Sequence, residues 1–111
     1  MLDSNGNNIG EAFYIQNATS TYTRYLTKFE MWWSGSSTLN YVTLDGNTIF
    51  GGTSTASTSP TYATLSSSYV FGTWQYSWFK AYFNSAISSK AITFLKVSFS
   101  DGCYVVYGSH S

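Results

Sequence analysis

Charge is scarce in this chain. Its 111 residues include five Lys/Arg and five Asp/Glu, a charged share of 9% with a formal net charge of zero, against about 25% in an average globular protein. There is no basic cluster and no acidic tail. Proteins that stack single-stranded bases pair those aromatics with a positive groove, so nucleic acid is not expected as a partner, nor is an anionic membrane surface. The single cysteine, Cys103, excludes an intrachain disulfide and leaves stability to packing. Lying between Gly102 and an apolar run, it is expected to be a small buried hydrophobe. The single histidine, His110, stands next to the last residue, where chains fray, so none of the many serines has a base beside it and a nucleophilic triad is not expected. Carboxylates are too scattered to form a local metal-ligating set, and no cofactor is expected. No run approaches the length of a membrane span. Met1-Leu2-Asp3 lacks the basic and apolar regions of a signal peptide, so the chain reads as cytosolic, a released mature domain, or exported by another route. Helical windows with caps are missing as well.

What the chain does have is aromatic and hydroxyl residues. Phe, Trp and Tyr make up 20% of it, and Ser, Thr and Asn supply most of the polarity. Tyr, Phe, Trp, Thr and Val favour strands. Near-neutral Ser/Thr-rich surfaces suit neutral ligands such as sugars. They also suit self-association into a homo-oligomer, because little charge repulsion keeps copies apart. Asn17-Ala18-Thr19 fits the N-glycosylation sequon, which has meaning only in a secreted protein.

One pattern occurs twice. Lys28–Trp33, a Ser/Gly turn, Thr38–Leu44, Asp45-Gly46 and a closing Gly51 form the first copy. Trp78–Phe83, a polar loop, Ile92–Phe99, Asp101-Gly102 and a closing Gly108 form the second. Each is strand, turn, strand, Asp-Gly turn, strand. Phe29, Met31 and Trp33 alternate in one copy, and Phe79, Ala81 and Phe83 in the other, the period of two that a half-buried strand requires. Asp-Gly marks a hairpin because Gly tolerates positive φ and Asp can bond local backbone. The expectation is one domain over 1–111, all-β and antiparallel, a β-prism or β-sandwich of about ten short strands with an internal pseudo-repeat. The ten are Phe13–Gln16, Tyr22–Leu26, Phe29–Trp33, Thr38–Leu44, Asn47–Phe50, Thr61–Leu65, Tyr69–Phe71, Ser77–Phe83, Ala91–Phe99 and Cys103–Tyr107. Phe29, Met31, Trp33, Phe79, Phe83, Leu95, Val97 and Phe99 are the expected core. The apolar phase slips between Phe94 and Leu95, which predicts a bulge or a strand covered on both faces.

This order of motifs resembles the jacalin-like lectin family. Gly6–Phe13 resembles that family's Gly-rich opening, Leu26–Leu44 with Asp45-Gly46 and Gly51-Gly52 its second stretch, and Tyr76–Phe83, Ile92–Phe99 and Tyr104–Gly108 its last long hairpin. The resemblance implies a β-prism I fold and sugar binding. The family's C-terminal Gly-x-x-x-Asp sugar loop has no counterpart after Gly108-Ser109-His110-Ser111, so its binding residues are not carried over.

Sugar binding asks for an aromatic platform against the C–H face of a pyranose and polar groups on its hydroxyls. The turns supply the materials: Trp74, Gln75, Asp45, Asn47, Asn84, Asp101 and Tyr104. Trp74 leads, because Gly72-Thr73-Trp74-Gln75 does not alternate and reads as a turn; it either offers a platform or plugs one end of the core. Trp32 lies on the polar phase of its strand. Asp45 and Asp101 occupy equivalent repeat positions, and as a glycosidase pair they would have to face each other; turn formation is their simpler role. The reading is a non-enzymatic, glycan-binding lectin-like module. The alternative is a self-associating structural subunit of a coat, spike or filament.

Overall fold

A computed structural model describes residues 1–109, and the expectation for His110 lies outside the described residues. The described residues form eight strands and no helix: β1 (Gly10–Gln16), β2 (Arg24–Trp33), β3 (Leu39–Leu44), β4 (Asn47–Gly51), β5 (Thr61–Phe71), β6 (Tyr76–Phe83), β7 (Ile92–Phe99) and β8 (Tyr104–Gly108). No helix among the described residues is long and apolar enough to cross a membrane. Two four-stranded antiparallel sheets result, ordered β1-β6-β3-β4 and β5-β2-β7-β8. Advancing every label of the first order by four, cyclically through the eight strands, gives the second.

Eight strands replace the expected ten because two apparent breaks are bulges. Thr27 looks like a gap, yet β2 runs through it, with Leu26 paired to Phe99 and Lys28 to Ser98 across a register shift. The shift is also what lets Leu26 and Phe29, three residues apart, both face the core. The serine triplet 66–68 looks like a turn, yet β5 continues past it: Tyr69 pairs with Leu26 and Thr64 with Lys28, so the exposed serines bulge outward opposite Thr27. β7 carries a bulge, but at Thr93 and not at the Phe94–Leu95 step, which is regular. Trp32 pairs with Phe94 and Trp33 with Ile92, leaving Thr93 as the extra residue, with its hydroxyl donating to the Trp32 carbonyl.

All eight expected core residues are buried, and one hydrophobic cluster draws on both sheets. Its seams are aromatic. Phe29 of β2 meets Phe79 of β6 edge-on at 5.4 Å and Phe50 of β4 at 5.2 Å, and Trp33 meets Phe83 at 5.1 Å. Such pairs add about 0.5–1.5 kcal/mol each beyond their area burial. The Trp33 indole N–H donates to the Ser37 carbonyl, so its one polar atom is not left unpaired.

Cys103 departs from expectation: it is exposed. It sits in the turn just before β8, beside Arg24 and Asn17 in a shallow surface depression. Asn17 also departs from its sequon reading. It is buried, and its amide is shared among the carbonyls of Tyr22, Phe71 and Gly72, so in the folded chain it is no glycosylation acceptor.

Candidate functional site

Strict alternation of direction sends β1, β3, β5 and β7 toward one end of the molecule, and the turns after them gather there. Six of the seven sequence-derived candidates lie at that end: Asp45, Asn47, Trp74, Gln75, Asp101 and Tyr104. Asn84 does not. It follows β6 at the opposite end, where its amide donates to the Thr38 hydroxyl at 2.8 Å and to the Thr55 carbonyl at 2.8 Å and ties two loops together.

At the shared end a hydrogen-bonded chain links the sheets. Asp101 accepts from the Arg24 guanidinium at 3.0 Å, Arg24 donates to the Asn17 side-chain oxygen at 2.6 Å, and the Asn17 carbonyl accepts the Trp74 N–H at 2.8 Å. The Cys103 N–H, joined by the Arg24 guanidinium, holds the Asp101 carboxyl below the usual carboxylate range. Gln75 closes the Trp74 turn, its side-chain oxygen accepting the Gly72 N–H at 2.8 Å. Trp74 has φ of 61°, and its carbonyl accepts from the Gln16 amide at 3.0 Å. Its ring points outward, 56% exposed, so it does not plug the core.

The two Asp-Gly turns are built differently. Asp45 is itself left-handed (φ 49°), and its carboxylate reaches across to β6, where Oδ2 accepts the Ser77 hydroxyl at 2.6 Å and Oδ1 accepts the Trp78 N–H at 2.9 Å. It therefore ties β3 to β6, beyond shaping its own turn. Asp101 makes the expected local bond, to the Cys103 N–H two residues on. The two carboxylates are thus engaged separately, on turns of different sheets. Among the described residues no group of three or more His, Cys, Asp or Glu side chains is placed to hold a metal ion.

The sequence reading missed the surface beside Trp74. β1 and β6 are neighbours, with Tyr14 paired to Trp78 and Gln16 to Tyr76. These residues occupy the outward phase of both strands. Tyr14 stacks on Tyr76 at 5.1 Å with 22° between planes and meets Trp78 edge-on at 5.4 Å. Tyr14, Tyr76 and Trp78 are 41%, 54% and 43% exposed, so all three rings offer surface to a ligand. Further along the same face Tyr82 stacks on Tyr41 at 4.5 Å, and Lys80 lies between. At about 3.3 Å per residue, the β6 side chains from Tyr76 to Tyr82 span roughly 20 Å. From the flank, the Tyr107 hydroxyl donates to the Tyr14 carbonyl and its ring packs on Phe13 at 5.3 Å, holding β8 against β1. Burial pushes the Tyr107 hydroxyl pKa up.

Compared with protein-family models, curated proteins and solved structures, the chain matches none at a significant level.

Proposed function

We propose that the protein binds neutral glycans without chemistry, in the manner of a lectin, through the aromatic face of β1 and β6 with Trp74 at its end. The observation that carries this reading is the set of exposed rings Tyr14, Tyr76 and Trp78 on paired strands, next to an exposed Trp74 in the adjoining turn. Apolar C–H faces of pyranoses lose water against such rings, and the phenol hydroxyls and the Gln16 and Gln75 amides border the platform. The rings are held by mutual contact, so little side-chain entropy is lost on binding. Asp45 acts as a positioning residue, because it grips the backbone of Trp78. A single shallow platform binds weakly, with Kd toward the millimolar end or about −4 kcal/mol. Useful avidity then comes from several copies in a homo-oligomer or on a larger assembly.

Within this proposal the architecture is a sandwich of two sheets, since the eight strands divide into two sheets with a joint core. The matching strand orders and the equivalent closing glycines support an internal pseudo-repeat. The resemblance to jacalin-like lectins then reduces to the shared ligand class, with the platform in place of the missing Gly-x-x-x-Asp loop.

A second reading rests on a different observation. The edge strands β4 (Asn47–Gly51) and β8 (Tyr104–Gly108) carry no charged residue, and uncharged edges invite pairing between copies. On that reading the chain is a self-associating structural subunit. Affinity electrophoresis through gels containing neutral polysaccharide, run beside size-exclusion chromatography, separates the two. Retardation by sugar with a small discrete oligomer supports the lectin. Large assemblies indifferent to sugar support the subunit.

A further inference from the structure

The outer face of the other sheet carries a different surface. A groove of about 550 Å³ crosses β5, β2, β7 and β8 beside the Thr27 bulge, within the roughly 300–1,000 Å³ of small-ligand sites. Its floor comes from the two central strands, where Glu30 pairs with Lys96 and Lys28 with Ser98. Its walls come from the edge strands: Tyr62 on β5, paired with Glu30, and Tyr104 on β8, paired with Ser98. Both tyrosines are exposed. The Lys96 ammonium sits 4.5 Å from the centre of the Tyr104 ring, a cation–π contact that holds it over the groove. The Glu30 carboxylate accepts the Trp32 indole N–H at 2.7 Å and is drawn along its own strand. The groove is thus lined by two lysines and one engaged carboxylate, which leaves it positive in a chain of zero net charge.

We propose that this groove is a second binding site, specific for sugars that carry a carboxylate. Lys28 and Lys96 receive the carboxylate, Tyr62 offers its free ring face to the pyranose, and the Ser98 hydroxyl meets a ring hydroxyl. Tyr104 positions Lys96. A simple inorganic anion would use the lysines and have no need of Tyr62, whereas an acidic sugar uses both. The site lies on the opposite sheet from the aromatic platform and does not depend on the platform reading.

The test is titration of the intact protein with a galacturonic acid tetramer, followed by two-dimensional NMR and calorimetry, with cellotetraose and inorganic phosphate as comparison ligands. The expected result is uronate binding with shifts at Lys96 and Tyr62. Lys28→Gln and Lys96→Gln should each weaken it at least tenfold, Tyr62→Ala should also weaken it, and added salt should weaken it further. Trp78→Ala should leave it unchanged. The lysine ammonium groups are surface groups, and an unchanged unfolding midpoint in both glutamine variants confirms the comparison. No binding of the tetramer, binding indifferent to both lysine substitutions, or phosphate binding as tight as uronate binding would overturn the proposal.

Discussion

Gly51 and Gly108 close the two hairpins, and replacing each with alanine is a sharp test of the packing described above. Both are left-handed, with φ of 71° and 77°, and both press on backbone. A Cβ on Gly51 would stand 2.2 Å from the Asn40 carbonyl oxygen, and one on Gly108 would stand 2.0 Å from that of Thr93. Neither obstacle is a side chain that can swing away, so the strand pair must separate locally. The left-handed conformation costs an alanine about 1–2 kcal/mol, and forcing extra volume into a packed site adds about 1–3 kcal/mol. The sum is about 2–5 kcal/mol against a total stability of about 5–15 kcal/mol. Gly46 and Gly102 are the internal controls. Their φ values of 85° and 89° impose the same backbone cost, but nothing lies within 4 Å of either Cβ position. Urea unfolding should therefore rank Gly51→Ala and Gly108→Ala together, well below Gly46→Ala and Gly102→Ala. If all four variants unfold at similar urea concentrations, the close approaches, and the hairpin registers that create them, are wrong.

Phe79→Ala should cost about 3–5 kcal/mol in the same assay, because Phe79 is fully buried and meets Phe29 between the sheets; an unchanged midpoint would put the wrong face of β6 inside. Asp45→Ala should cost about 1–3 kcal/mol through the lost bonds to Ser77 and Trp78, and Asp45→Asn less, since Asn tolerates the left-handed region and retains an acceptor; equal stability of Asp45→Ala and wild type would remove Asp45 as a tie between strands. Glu11→Gln should stabilise the fold at neutral pH. Burial raises the Glu11 pKa, only partly offset by the N-terminal charge, and its Oε1 has no hydrogen-bond partner. The folded pKa thus lies above the unfolded one, so the contribution of Glu11 is fully present below the ordinary carboxylate range, where it is protonated, and is lost as pH rises through the folded pKa. The gain from Gln should shrink toward zero in denaturation curves at pH 3, and a gain that is independent of pH would contradict this.

The core was legible in the sequence because one buried face imposes a period of two on β2 and β6, and Phe29–Trp33 and Phe79–Phe83 show it without interruption. Strand ends were less legible. Thr27 and Ser66–Ser68 have the composition of turns, but the backbone takes them up as bulges because the strands on both sides have partners in the same sheet. Cys103 differs from expectation because it belongs to the turn and not to β8, and turn residues have no inward phase. Trp74 was legible as an exposed turn residue because its turn breaks alternation. Tyr14, Tyr76 and Trp78 were not, because aromatics occupy both phases of their strands and hide which face is outward. Tyr14 and Trp78 are 64 positions apart in sequence, and only the β1–β6 register joins them. The lysines of the opposite groove were hidden for the same reason: Lys28 and Lys96 line one groove only through the β2–β7 register.

The most direct test of the glycan-binding account is a broad glycan array probed with multivalently displayed wild-type protein beside Trp74→Ala and Trp78→Ala. The account predicts binding to neutral glycans that persists at high salt, because no ion pair carries it, and loss of that binding in both variants with unchanged unfolding midpoints. An array on which wild type finds no neutral glycan, or on which Trp78→Ala binds as well as wild type, contradicts it.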